Sequence, residues 1–245
     1  MSAAGQKIEI GRVVERGFAA LGRQIGSYLA FALLLSGLPS ALLAWLALSQ
    51  SGTFSMSMPG YWALTAFTTI AGLILQATIT RSALRGFQGL SPRIGSSFVD
   101  AFGFLLPMIG ILIVTGILSG IGFILLVVPG VIVFIMLIVS IPVLVGEECG
   151  MLQAIKRSRR LTKGSRGRIF LLLILFAIVY LVAAGAISAL STTLIGDSAI
   201  GAALGQGVIA TGSSLLSCTM LAALYFELRT AKEGAAVEGL AEVFA

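Results

Sequence analysis

Seven basic residues fall within the thirteen positions from 156 to 168: Lys156, Arg157, Arg159, Arg160, Lys163, Arg166 and Arg168. Guanidinium and ammonium groups at this density suit the capture of phosphate oxygens, and each one near an anionic lipid surface contributes about 1 kcal/mol. Arg12, Arg16 and Arg23 form a sparser second set. Just before the dense cluster stands an acidic pair, Glu147-Glu148. It suits either a cationic ligand or local ion pairs with those arginines, and exposed carboxylates more often do the latter. Residues for covalent or acid–base chemistry are scarce. There is no histidine, the commonest general base and metal ligand. The two cysteines, Cys149 and Cys218, form no CxxC motif. Ser158, Thr162 and the acidic pair make no recognisable catalytic arrangement. These residue types imply a binding surface, not an enzyme, with no catalytic residue, metal or cofactor expected.

The elements that carry these residues belong in lipid. The chain is 58% apolar and 11% charged, against about 45–50% and about 25% in soluble proteins. A helix needs about 20 apolar residues to cross the hydrocarbon core. Six stretches meet that length, at about 26–49, 59–80, 102–122, 125–146, 169–192 and 201–226. No acidic residue falls within them, which argues against a proton relay or cation-coupled carrier. The gaps between them alternate between basic and uncharged or acidic, so all 16 Lys and Arg residues fall on one side. By the Lys/Arg bias of short loops that side is cytoplasmic, with both termini there. The first stretch is too long for a cleavable signal core and reads as a retained span. Residues 1–228 read as a single polytopic domain and 229–245 as a short cytoplasmic tail. The net charge of +6 is explained by this topology, and no nucleic-acid partner is expected. The third and fourth spans turn back between Ser119 and Gly130, with Pro129 suited to the start of a helix. A re-entrant hairpin that stops short of the far side is the alternative.

Three segments ahead of the odd-numbered spans are amphipathic. Over 8–25, Ile10, Val13, Val14, Phe18, Leu21 and Ile25 share one helical face and Arg12, Glu15, Arg16 and Arg23 the other. Over 151–163, Met151, Ala154, Ile155, Ser158, Leu161 and Thr162 face away from Gln153, Lys156, Arg157, Arg160 and Lys163. Over 91–102, Ser91-Pro92 reads as a cap and first helical residue, followed by Ile94, Phe98, Ala101 and Phe102 on one stripe. Such helices lie in the interface, apolar face down. The layout suggests a threefold repeat of interfacial helix plus two spans, about 70 residues long. Within the spans, Gln76 and Gln206 suit hydrogen bonds between helices or a polar cavity. Gly116-x3-Gly120 and Gly201-x3-Gly205 suit close helix approach, and Pro39, Pro107 and Pro142 suit kinks.

The run from Pro129-Gly130 through apolar residues to Glu147, then Ala154, Ser158, Leu161, Thr162 and Gly164, carries a resemblance. It resembles the bacterial multi-pass family named after the membrane domain of glycerophosphoryl diester phosphodiesterase. The strong likeness covers about 45 residues. It implies the membrane module and a bacterial inner membrane. It does not imply the phosphodiesterase activity, which belongs to a separate soluble domain rich in acidic metal ligands and histidines. Three functions are compatible with this reading. The first is a non-enzymatic protein that binds anionic phospholipid and organises or shapes the membrane. The second is a permease for a lipidic or small apolar solute, with Gln76, Gln206 and the Ser/Thr residues of the sixth span lining a cavity. The third is an accessory subunit of a membrane lipid enzyme, working with a membrane-protein partner or as a homo-oligomer.

Overall fold

The computed structural model describes residues 9–49, 59–91 and 94–244, with side chains described through residue 234. Among these residues the protein is all-helical: α1 (Ile10–Arg23), α2 (Ile25–Ala32), a π-helical turn (Leu33–Gly37), α3 (Leu38–Ser49), α4 (Pro59–Phe87), α5 (Ile94–Leu125), α6 (Val127–Leu137), α7 (Ser140–Glu147), α8 (Met151–Thr162), α9 (Arg166–Ile195) and α10 (Ala199–Phe244). Six stretches are long and apolar enough to cross a membrane: Ile25–Ser49, Pro59–Phe87, Ile94–Leu125, Val127–Glu147, Arg166–Ile195 and Ala199–Gly234. The chain has the build of a multi-pass membrane protein. Its surface agrees with that build, because Leu106 is 80% exposed and Ile124 85% exposed without any protein cover. Apolar surface on this scale is stable only where lipid replaces water.

Several helices run beyond the apolar stretches that define them in sequence. The second span continues from 80 to Phe87, and the last helix continues through the expected tail to Phe244. The third begins at Ile94, so the segment 94–102 forms the first turns of α5 and not a separate interfacial helix. No Gly-Pro punctuation separates the two, and Asp100 is neutralised by Arg81 at 2.9 Å, so nothing stops the helix there. The proposed start at Pro92 lies outside the described residues, as do Lys7, Arg93 and most of the uncharged gap near 50–60.

At about 1.5 Å per residue, the 46 residues of α10 form the longest helix. It packs against α1, α2, α3, α4, α7, α8 and α9, as well as the π turn. One close crossing of α10 joins Gly37 to Gly207. A Cβ on Gly207 would stand 3.2 Å from the Gly37 carbonyl oxygen, and one on Gly37 would stand 3.1 Å from the Gly207 oxygen and collide with Thr211. The expected approach at Gly116 and Gly120 is not used, since both glycines face open space. Gly205 meets Ser191 of α9 and Gly201 meets the preceding turn.

Each proline in a span leaves a different mark. Pro39 follows the π turn, where widened hydrogen-bond spacing absorbs its missing N–H. Pro107 lies within an unbroken α5. Pro142 cannot donate to the carbonyl of Ile138, and there the helix parts into α6 and α7. The reversal between the third and fourth spans falls at Leu126, which is extended, so Pro129 lies in the first turn of α6 and not at its first position. Gly130 and Gly122 close this hairpin: a Cβ on Gly122 would stand 2.7 Å from the Gly130 Cα.

Candidate functional site

The basic ends of the helices converge on three clusters of ion pairs. In the first, Arg81 of α4 pairs with Asp100 of α5 at 2.9 Å and with Glu148, beyond α7, at 2.8 Å. Its guanidinium also lies 5.5 Å from the centre of the Phe104 ring. Glu148 has φ 48°, a left-handed conformation that ends α7 and turns its carboxylate back to Arg81.

The second cluster joins α7, α8 and α10. Arg157 Nε donates to Glu147 at 3.0 Å, and its Nη2 donates to Glu233. Tyr225 donates its hydroxyl to Glu147 at 3.1 Å, and Arg229 donates to the other oxygen of Glu233 at 2.8 Å. Burial works against the charge of Arg157, but the two carboxylates hold its guanidinium above the ordinary arginine value. Beside this cluster, burial and then Glu147 push the Cys149 thiol up, away from the thiolate form that nucleophilic chemistry needs.

The third cluster fastens α1. Arg16 pairs with Glu227 of α10 at 3.0 Å and lies 4.9 Å from the centre of the Phe226 ring. Glu227 is only 4% exposed. Arg23 donates to the Gly86 carbonyl at the end of α4 at 2.8 Å. Beneath these contacts, α1 buries Val13, Gly17 and Ala20, with Met220 over Gly17, where a Cβ would need the Met220 thioether to shift. The face in contact is therefore the small one. Phe18 and Ile25, expected on the lipid-facing stripe, are more than half exposed.

The expected headgroup ligands thus divide. Arg16, Arg23 and Arg157 are committed to other parts of the protein, and Arg12 pairs locally with Glu9 at 3.0 Å. Lys156, Arg159, Arg160 and Lys163 are exposed, and no acidic residue pairs with them among the described residues. Arg166 and Arg168 are half-buried at the start of α9, and the Arg166 Nε has no acceptor.

The motif residues from 154 to 164 hold α8 and its following turn in place, while Pro129 and Gly130 lie in the hairpin at the far end of α6. Ala154, Ser158, Leu161 and Thr162 are buried, so the stripe expected to face lipid packs on α5, α6, α7 and α10 instead. Ser158 donates to the Met136 carbonyl at 2.8 Å, beside the break that Pro142 causes. Thr162 donates to the Ser158 carbonyl at 3.0 Å. Gly164 has φ 89°, which allows the chain to turn from α8 into α9.

The residues expected to line a polar cavity do not meet. Gln76 is half-buried in α4, and Gln206 is exposed on α10, outside any helix interface. The principal cavity holds about 460 Å³ between α1, α6, α9 and α10, and Ser217 is its one polar side chain. No group of three or more His, Cys, Asp or Glu able to hold a metal occurs among the described residues. The hydroxyl donor Tyr225, the acceptor Glu233, the donor Arg81 and the apolar cavity were not singled out in the sequence. The only available signal was their position at span ends, where charged and aromatic side chains anchor for many reasons. Compared with known proteins, the chain matches no family model, no curated protein and no solved structure.

Proposed function

We propose that this is a non-enzymatic membrane protein that binds anionic phospholipid on the cytoplasmic leaflet of a bacterial inner membrane. The observation that carries this reading is the division of the basic residues. Internal carboxylates neutralise Arg16, Arg81 and Arg157, while Lys156, Arg159, Arg160 and Lys163 stay exposed on the side of α8 opposite its packed face. Fixed positive charge without a protein partner favours an anionic surface. On this reading α1 and α8 lie along the interface, each with one face on the bundle and the other toward headgroups. The expected threefold repeat is not part of this reading, since its middle copy has no separate interfacial helix. Both termini are cytoplasmic because every basic residue is at one end of the spans. The likeness to the phosphodiesterase membrane domain is kept as a likeness of motif, which the packing of Ala154, Ser158 and Leu161 explains as a demand of the fold.

Native mass spectrometry with lipid identification on gently extracted protein tests the proposal. An anionic phospholipid should be retained, and changing Lys156, Arg159, Arg160 and Lys163 together to Gln should weaken its retention. At about 1 kcal/mol per charge, four charges correspond to roughly 10²–10³ in affinity. Retained lipid that mirrors the bulk membrane would sink the proposal. A different retained molecule would favour the permease, and a bare species that captures a membrane enzyme would favour the accessory subunit.

A further inference from the structure

The cavity between α1, α6, α9 and α10 has a position, a depth and a rim that together specify an occupant. Its α9 wall runs from Ile169 to Val179. Ten residue steps of helix are about 15 Å, half of the roughly 30 Å hydrocarbon core. Because α9 begins at its basic end with Arg166, that depth corresponds to the basic-side leaflet. The cavity opens sideways, since Phe18, Leu175 and Val179 line it and yet are 54%, 46% and 49% exposed.

The lining excludes water as a stable filling. Ser217 is its only polar side chain, and that hydroxyl already donates to the Ser213 carbonyl at 2.7 Å. A held water needs two to four polar partners. A single hydrocarbon chain suits both the volume and the lining.

The rim is basic on both sides of the stripe. Arg166 shares a helical face with Leu173 and Ala177, and Arg168 shares one with Leu175 and Val179. The Arg166 Nε has no acceptor and is shut off from water. A phosphate at the start of α9 would therefore meet the outer part of that half-buried guanidinium. We infer that the cleft takes one acyl chain of an anionic phospholipid from the basic-side leaflet, with the headgroup phosphate at Arg166 and Arg168. This inference rests on the lipid-binding reading above and gives it a built site in addition to the α8 surface.

The test places a single tryptophan in the cleft by Leu173→Trp, in a background of Trp45→Phe and Trp62→Phe, reconstituted in phosphatidylcholine vesicles. Phosphatidylglycerol with brominated acyl chains is added in steps. Quenching should saturate at low mole fraction, as for one bound lipid. Arg166→Gln with Arg168→Gln should raise the mole fraction at half-quenching at least threefold. Filling the cleft by Ser217→Phe, or by Ala177→Leu should the first variant fold poorly, should abolish saturation. Quenching that climbs in proportion to brominated lipid, alike for brominated phosphatidylcholine and untouched by filling, overturns the inference, as does a crosslinked second copy at Leu175→Cys. The α8 Gln variant separates the two readings. Saturable quenching that persists there upholds the cleft even if the α8 surface fails. Proportional quenching beside intact α8-dependent lipid retention overturns the cleft alone.

Discussion

Arg16 and Glu227 show how a charge can be held inside an apolar bundle. Glu227 is buried, and Arg16 reaches it from α1 while its far side stays open to the interface. Removing one partner of such a pair strands the other in a medium that solvates it poorly. Arg16→Gln should therefore destabilise the protein by about 3 kcal/mol, the lower end of the range for a buried pair because Arg16 is itself partly exposed. The double change Arg16→Met with Glu227→Leu should recover most of that loss, since it removes both desolvation costs together. Thermal or denaturant unfolding in a fixed detergent measures both variants. Equal losses in the single and double variants would show that the ion pair is not the source of the effect. Lys156 sits one residue from Arg157 and should behave differently. Lys156→Gln removes an exposed charge with no internal partner, so it leaves stability within about 0.5 kcal/mol. In the sequence both residues have the same standing, as members of one basic run. What separates them is the placement of Glu147 and Glu233 on two other helices, which no local spacing encodes.

At the scale of elements, the chain's many glycines divide into those that form crossings and those that do not. Gly37 faces the backbone of Gly207 and the side chain of Thr211, whereas Gly116 faces open space. Gly37→Ala should force α3 and the π turn away from α10, at about 1–3 kcal/mol, the usual cost of overpacking. Gly116→Ala should be neutral or stabilising, because it adds helix propensity without a clash. A lower unfolding midpoint for Gly116→Ala than for Gly37→Ala would contradict this assignment of crossings. The same contrast marks how far pattern reading reaches. Apolar length defined the six spans, because hydropathy over about 20 residues depends on no neighbour. The 3.6-residue period of 151–163 found the correct buried face of α8, with Ala154, Ser158, Leu161 and Thr162 together. It did not say what covers that face. An apolar stripe beside a membrane can meet lipid or protein, and here Ser158 donates to the Met136 carbonyl and ties that face to the bundle. In α1 the large residues Phe18 and Ile25 stay exposed, while the close approach to α10 uses Val13, Gly17 and Ala20, a contact the period alone did not mark.

At the scale of the whole molecule, the question is whether α5 and α6–α7 cross the bilayer or dip into it and return. Val127–Glu147 spans 21 residues, about 31 Å at 1.5 Å per residue, and α5 is longer at 32 residues. Each is sufficient for the roughly 30 Å core. The ion pairs of Arg81 with Asp100 and Glu148 hold the basic end of both helices level with the end of α4. With that end fixed at the interface, the Leu126 reversal falls a full core thickness away. Its neighbours agree, since Ile124 to Val128 are all more than 65% exposed and none carries a partner that would hold the tip within the protein. In a background with Cys149→Ser and Cys218→Ser, Leu126→Cys and Asp197→Cys should therefore react with a membrane-impermeant maleimide added to intact cells. Ser165→Cys, between α8 and α9, should react only after the membrane is opened. Protection of Leu126→Cys with labelling of Asp197→Cys would identify the third and fourth helices as a re-entrant hairpin. The ion pairs at the basic end could then not be level with the interface, because the same helices cannot be anchored there and also stop short of the far side.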